Sequence, residues 1–486
     1  MTTERRTDPA RPVIVLFRHD LRLSDNRALT EAVATGKPLV AAFVRDDEAP
    51  GGRPFGGARR WWLHRSLVAL AQDLKSLGVP LVMRRGEMQA IVASLVEETG
   101  ADMVVWNRRY DPHAVAADRA MKSTLSADGV CCLSFDGFLL HEPWTLKTGS
   151  GGPYKVYTPF RRAFVAMGEP RSPRPAPTSL AAFSGKVSTE NLTDWNLLPA
   201  HPNWAVELDA EWSPGEAGAR RRLDDFLSGA IDHYAQGRDY PGIRWTSRLS
   251  PHLAHGEISP FQIWHAVRSL KSPSPDDAEK FLAELAWREF SWHLLFHFPR
   301  LPTENFNPRF DAFEWRDDPK SLRLWQKGLT GYPIVDAGIR ELWRTGWMHN
   351  RVRMVAASFL VKHLLIDWRE GERWFWDTLV DADPANNAAS WQWVAGSGAD
   401  AAPYFRVFNP VLQGEKFDPK GVYVREFVPE LAALPDNLLH RPWAADATTL
   451  SFAGVKLGTT YPVAVVDHQK SRERALAAYN ATRGDE

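Results

Sequence analysis

Residues 381–413 read DADPANNAASWQWVAGSGADAAPYFRVFNPVLQ. Two carboxylates (Asp381, Asp383), two amides (Asn386, Asn387) and two tryptophans (Trp391, Trp393) fall within thirteen positions. A core segment would spread its apolar residues at a period of 3.6 or 2. Here polar groups stand beside the largest aromatics, a pattern suited to a pocket with a flat, heteroatom-rich occupant. A flavin is such an occupant, because its ring needs amide and carboxylate partners at its nitrogen edge. The same spacing also suits an unusually polar structural turn, with Asn386 as a turn residue.

Working outward, the 486 residues are enough for two or three domains with large cores. Lys plus Arg equals Asp plus Glu at 59 each, so net charge gives no pull on nucleic acid, and any such binding needs a local basic patch. The chain has 21 tryptophans, more than a core needs, which points to stacking or electron relay beside ordinary packing. Two adjacent cysteines, Cys131 and Cys132, cannot build a disulfide framework and fit a reducing compartment. The first ten residues are polar and charged, and no stretch reaches the ~18 apolar residues of a membrane helix. A soluble, cytoplasmic protein is expected.

Apolar runs at 13–17, 38–44, 80–83, 102–106 and 130–134 alternate with amphipathic segments, clearest at 60–77 and 113–126. That alternation predicts a doubly wound parallel sheet of Rossmann-like type over 11–140. No GxGxxG follows the first run, so the dinucleotide fingerprint is absent, and GGRPFGG at 51–57 reads as a surface loop. A long connector over 141–215 is expected, Pro- and Ser-rich from about 165 and draped over the surface. Beyond it, helical stretches follow one another at 216–229, 260–270, 277–298, 319–328, 334–345, 348–365, 370–379 and 469–482. They predict an all-α domain over 216–486. No internal repeat and no low-complexity segment stands out.

Within that helical part, Thr246, Ser247, Arg248, Leu249 and Ser250 precede Pro251 at a helix entrance, as either an anion site or a simple cap. Residues 344–365 read as one helix, with Asn350 and Met354 at i, i+4 and Trp347 one turn before Asn350. Arg353 then points elsewhere, to solvent or to a carboxylate of the 381–383 loop. Glu284, Trp287 and Arg288 lie at i, i+3 and i+4, as on any amphipathic helix. His293 and His297 have the spacing of a zinc pair, but no Glu follows the first His, so they read as packing histidines and no metal is assigned.

The string ANNAASWQW with DAAPYFRVFNPVLQGEKFD resembles the flavin-binding heart of the DNA photolyase/cryptochrome family. GYPIVDAGIRELWRTGWMHNRVRM at 331–354, TSRLSPHLAHGEISP at 246–260, ELAWREF at 284–290 and FRHDLRLSDNRAL at 17–29 resemble the same family, in its order and nearly end to end. The resemblance implies an α/β N-terminal domain, a large helical FAD-binding C-terminal domain, and light-driven repair of cyclobutane pyrimidine dimers. Reduced FAD, excited by blue or near-UV light, would pass an electron to a lesion flipped out of UV-damaged DNA. The alternative is a cryptochrome-like photoreceptor that signals through flavin photoreduction; a third option is a flavoprotein that binds DNA without repairing it. The absence of a long tail disfavours the plant-type receptor.

Residue by residue, the resemblance puts Tyr234, Thr246, Ser247, Arg248, Leu249, Ser250, Asn350, Arg353, Asp381, Asp383 and Asn387 at the cofactor. Arg353 would pair with Asp381 near the flavin and favour its anionic reduced form. Asn387 would face flavin N5, where plant-type cryptochromes often carry Asp. Glu284 would hydrogen-bond the damaged base, and Trp287 and Trp393 would wall it, each stacked base contributing roughly 1–3 kcal/mol. Arg238, Arg288, Asn350, Arg351, Met354, Arg406 and Gln413 complete the substrate and DNA set. Asn350 and Met354 replace the two histidines of (6-4) photolyases, which favours cyclobutane dimers. Trp391, Trp368 and Trp315 match the family's electron-transfer triad, for photoreduction and not for repair itself.

A second, antenna chromophore is also implied. GGARRWWLHRSL at 56–67, NRRYDP at 107–112 and LLHEPW at 139–144 resemble the branch near plant cryptochromes and class III photolyases, which favours methenyltetrahydrofolate over a deazaflavin. The Cys–Lys pair of many class I folate sites is replaced by Pro302 and Thr303, so that site does not carry over. The expected partner is UV-damaged DNA, with no membrane, no obligate protein partner and a monomeric state.

Overall fold

Five apolar runs form parallel strands in the computed structural model, which describes residues 10–271, 274–400 and 405–482. They are β1 (Val13–Phe17), β2 (Leu39–Arg45), β3 (Leu81–Arg85), β4 (Met103–Asn107) and β5 (Cys131–Phe135), in the order β3-β2-β1-β4-β5. Val13 is level with Leu39 on one side and Met103 on the other. Every residue of β1 is buried because its alternate side chains feed two separate cores. Val13, Val15 and Phe17 pack with α1 (Arg27–Ala34) and α2 (Gly57–Ser76). Ile14 and Leu16 pack with α3 (Met88–Thr99) and α4 (Pro112–Ala127). The sheet is doubly wound, with its strand order reversing between β1 and β4.

The polar segment after β1 is a structural hub. Arg22, 1% exposed, donates to the carbonyls of Ser24, Asp25, Gly137 and Gly256. Asn107, at the end of β4, donates to Asp20 and to Asn26, the N-cap of α1. Buried polar groups must find partners, and here one guanidinium ties four carbonyls of three separate segments together.

The connector is more ordered than its composition predicts. It opens with α5 (Tyr157–Ala166), pairs Ala182 with Leu39, and runs beside β3, where the Glu190 amide donates to the Met83 carbonyl. Arg85 also reaches Glu190. Leu192, Trp195 and Leu197 enter the core above β1 and β2, so its scattered apolar residues act as anchors. Then follow α6 (Val206–Glu211), α7 (Glu216–Leu227), α8 (Tyr234–Gly237), α9 (Ser250–His255), α10 (Pro260–Arg268) and α11 (Pro275–His297).

The remaining helices are α12 (Pro319–Gln326), α13 (Pro333–Thr345), α14 (Asn350–Ser358), α15 (Trp368–Thr378), α16 (Pro384–Ala395), α17 (Pro410–Phe417), α18 (Val422–Phe427), α19 (Asp436–Leu439), α20 (Ala447–Phe452) and α21 (His468–Ala481). By contact, the described residues up to Tyr154 group with Thr158–Asp232 and Ser247–Pro299 in one unit. Lys155–Tyr157, His233–Thr246 and the described residues from Arg300 onward form the other.

Two local expectations are corrected. Residues 344–365 are not one helix: α13 ends at Thr345, Gly346 turns the chain at φ +66°, and α14 begins at Asn350 under a His349 cap. Trp347 therefore lies in the intervening turn, and a five-residue π turn, Phe359–His363, follows α14. Asn386 is not a turn residue either. It sits in the first turn of α16, bonded to the N-cap Asp383 through both its backbone and its side-chain nitrogen.

Candidate functional site

The opening stretch becomes a capped helix. The Asp383 carboxylate accepts from the Ala385 and Asn386 amides, so its position at the head of α16 satisfies donors the helix leaves open. One turn on, the buried Asn387 side chain donates through Nδ2 to both the carbonyl and Oε1 of Glu372, at 3.0 and 2.8 Å. Its amide nitrogen is thereby engaged, and Oδ1 is the atom left to meet a ligand. Glu372 was not visible as a functional residue in the sequence, because fifteen positions separate it from the amide it orients. Residues 401–404, part of the same quoted stretch, lie outside the described residues.

Arg353 on α14 forms a bidentate pair with Asp381, at 2.8 and 3.2 Å, and its Nε donates to the Met348 carbonyl. The guanidinium also lies 5.8 Å from the Trp347 ring centroid. His349 accepts from the Arg351 amide through Nδ1, which places the ring proton on Nε2. That Nε2 is buried with no acceptor among the described residues, and burial pushes the ring down to about 3, so it stays neutral. Trp391 Nε1 is a second such donor in the same unit. Unsatisfied buried donors of this kind call for a heteroatom-rich ligand or water.

Asn350 is exposed and Met354 half-buried, while Arg351 pairs with Asp239 at 2.9 Å and lies over Phe417. Arg238 is half-buried over the ring of the buried Tyr234. Arg406 is exposed, and Trp393 and Gln413 are half-buried.

Trp391 is enclosed by Phe375 and Trp325, and its ring presses against Gly371, where an added Cβ would lie 2.1 Å from it. Trp368 stands one turn before Gly371 on α15, fully buried, with its indole N–H on Asn305. Trp315, half-buried, packs on Phe313. Two of the three expected relay tryptophans thus meet the same helix.

In the unit that contains the sheet, α11 is buried for most of its length, yet Glu284 and Trp287 are half-exposed, three residues apart on one face. Arg288 instead is buried, donating to the Phe138 carbonyl and stacking on its ring, which argues against a solvent-side DNA contact. Neighbouring Glu289 accepts from the Leu140 and His141 amides, and burial pushes it up to about 7. Ser247 accepts from the Leu249 amide, and Arg248, at φ +52°, turns its side chain onto Glu211 and Trp212. His293 is buried and His297 half-buried, and each is hydrogen-bonded to backbone, at Tyr154 and Pro143. Among the described residues no cluster has the makeup of a metal site, and no helix is long and apolar enough to cross a membrane.

A cleft unnoticed in the sequence opens at the carboxyl ends of β1 and β2. Arg18, His19, Arg45, Arg59, Arg109 and His255 line it. It lies at the reversal of strand order, where open α/β sheets bind ligands.

The chain thus joins a parallel α/β module to a helical module with an amide- and tryptophan-rich strip, the two-module class that comparison with known proteins identifies. The family model for DNA photolyase matches residues 13–178, and that for the FAD binding domain of DNA photolyase matches 281–481. A deoxyribodipyrimidine photo-lyase of Agrobacterium fabrum is 57% identical, covering 97% of this chain and 98% of that protein. The crystal structure of a bacterial class III photolyase from Agrobacterium tumefaciens superposes with a TM-score of 0.96 at 55% identity, covering all of both chains. Cryptochrome-1 of Arabidopsis thaliana is 37% identical over 95% of this chain and 69% of its own length. The chain belongs to the DNA photolyase family, and FAD is its cofactor.

Proposed function

We propose that this protein is a deoxyribodipyrimidine photo-lyase, which uses light to split cyclobutane pyrimidine dimers in DNA. The observation that carries the reading is the strip from Asp381 to Trp391, with Arg353 paired and the Asn387 amide locked, in a chain related end to end to photo-lyases. The donor set fits FAD: a guanidinium–carboxylate pair, an amide oxygen with fixed direction, and buried indole and imidazole N–H groups. When bound and reduced, FAD supplies the photoexcited electron that opens the cyclobutane ring and is then returned.

The chain's own residues do the holding. Arg353 and Asp381 would clamp the ring edge, with Asp383 and Asn350 beside them in the binding set. Asn387 would offer Oδ1 as an acceptor to N5–H, its own nitrogen engaged by Glu372. Tyr234, Thr246 and the Ser247–Ser250 loop would meet the rest of the cofactor. Glu284 would accept or donate at the lesion base edge, Trp287 and Trp393 would stack on it, and Met354 would fill space against it. Arg238, Arg351, Arg406 and Gln413 would take the DNA backbone, with Asp239 yielding Arg351 to a phosphate. Trp315, Trp368 and Trp391 would carry the electron that activates oxidised cofactor.

We infer methenyltetrahydrofolate as the second chromophore, from the likeness of residues 56–67, 107–112 and 139–144 to the branch near plant cryptochromes and class III photolyases. The absorption spectrum of extracted chromophore distinguishes it from a deazaflavin. The repair reading is tested with reduced protein and a dimer-containing oligonucleotide under blue light, beside a dark control. Restored thymines are expected; none at full flavin occupancy would transfer the assignment to a photoreceptor.

A further inference from the structure

Lys362 is a buried cation that the reaction described above does not use. It is 5% exposed, within the π turn Phe359–His363, a helix irregularity frequent at functional sites. Its Nζ donates to the Arg406 carbonyl at 2.6 Å and lies 4.4 Å from the centroid of the Phe405 ring. No carboxylate pairs with it among the described residues, although α14, α15, α16 and α21 all pack against this turn. The groups that face it are cationic or neutral: Arg406 from the following segment, His363 next in the chain, and His468 and Arg474 of α21 through His363. Burying an ammonium without a counter-ion is costly, so its retention calls for an account.

The segment it touches is the one that leads to the DNA-facing side chains. Phe405 stacks on Tyr479 at 4.6 Å, and Asn409 caps α17 by accepting from the Val411 and Leu412 amides. Arg406 and Gln413 stand on this run. We propose that Lys362 is a positioning residue for DNA engagement, its buried ammonium pinning the backbone of Arg406 and thereby fixing the course of residues 405–413. The inference rests on the repair reading, in which Arg406 and Gln413 meet the DNA backbone.

The geometry has an electrostatic corollary. Burial, and then Arg406, push Lys362 down to about 7. A phosphate at Arg406 offsets that repulsion and raises the proton affinity of Lys362, so binding near neutral pH takes up a proton. Affinity is therefore full below pH 7 and falls as pH rises above it. His363, pushed down to about 3, stays neutral across this window, and burial lowers His468 as well.

The test uses flavin-loaded full-length protein and a duplex containing one thymine dimer, titrated from pH 6 to 9 in buffers of different ionisation enthalpy. Wild-type protein is expected to take up a fraction of a proton and to lose affinity above pH 7. K362M should weaken binding about tenfold at pH 7, the scale of one charge-assisted hydrogen bond, and raise KM for repair more than it lowers kcat. K362R, a permanent cation, should flatten the pH profile and abolish proton uptake; if K362M fails to fold, this comparison alone decides. The same uptake and pH profile in K362R as in wild type would overturn the proposal. R406A separates the two levels: if R406A binds normally, the DNA role of Arg406 fails, whereas weak R406A beside a wild-type-like K362R sinks only the role of Lys362.

Discussion

A set of carboxylate-paired cations in the sheet unit and Lys362 in the helical unit are handled in opposite ways. In the unit holding the sheet, Arg18 meets Asp118, Arg109 meets Asp46 and Asp118, Arg45 meets Asp47, and Lys37 meets Asp102. In the helical unit Lys362 has no carboxylate among the described residues, and the buried donors of His349 and Trp391 have no acceptor. Matched charges hold a scaffold together, and each is costly to break singly. Unmatched buried polar groups stabilise nothing by themselves and make sense where something else completes them. The indole N–H groups of Trp61 and Trp292 in the sheet unit also lack an acceptor among the described residues, so the contrast is one of charges, not of neutral donors.

The sharpest way to break the contrast is D118N. Burial raises the Asp118 carboxyl, but Arg18 and Arg109 outweigh it and hold it below its ordinary range. Its contribution is thus present at neutral pH and lost as pH falls through the folded-state value. D118N should cost about 3 kcal/mol of unfolding free energy at pH 7. The gap to wild type should begin to narrow near pH 4, the ordinary carboxylate value, and close only as pH falls through the lower folded-state one. Denaturant melts with bound flavin measure it, and a large loss of flavin affinity without loss of stability would contradict the scaffold reading.

D381N is the mirror experiment. Removing the partner of Arg353 should weaken flavin binding about a hundredfold, the scale of a broken, partly buried pair, with the smaller change in overall stability. Flavin fluorescence on dilution reads the release. G371A comes next: a Cβ 2.1 Å from the Trp391 ring forces repacking at about 1–3 kcal/mol, and it should slow photoreduction of oxidised flavin in stopped illumination. Smallest is E284A, expected to lower repair yield by about 1 kcal/mol of lesion contact while photoreduction proceeds. W315F should do the reverse, and exchanged phenotypes would overturn both roles.

The central strands were legible because β1 is apolar throughout and β2 and β4 are apolar up to their last residue, as burial on both faces requires, while the edge strands β3 and β5 carry shorter apolar runs. The helix α16 was harder to read, since its buried face includes Asn387 and Gln392 among alanines, so no apolar period marks it. The helical stretches at 334–345 and 348–365 already stop short of each other, but reading 344–365 as one helix carried the apolar Trp347 and Met348 through the Gly346 turn. The Arg353–Asp381 pair could be anticipated from residues 28 apart only through family likeness. Glu372, Lys362 and the arginine cleft left no local trace: each depends on partners brought together by tertiary folding. The polar run 17–29 was recognisable as a signature, yet its task of tying Gly137 and Gly256 to one guanidinium was not, those partners lying 115 and 234 positions away.

The segment around Glu190 that runs beside β3 has a colloidal consequence. An open sheet margin offers bare amides and carbonyls as a template for a strand from another molecule. Here part of that margin is taken by the protein's own chain, with Thr189 and Glu190 bonded to Met83 and Arg85. Self-association through β3 is thereby discouraged, which favours a protein that stays dispersed at high concentration.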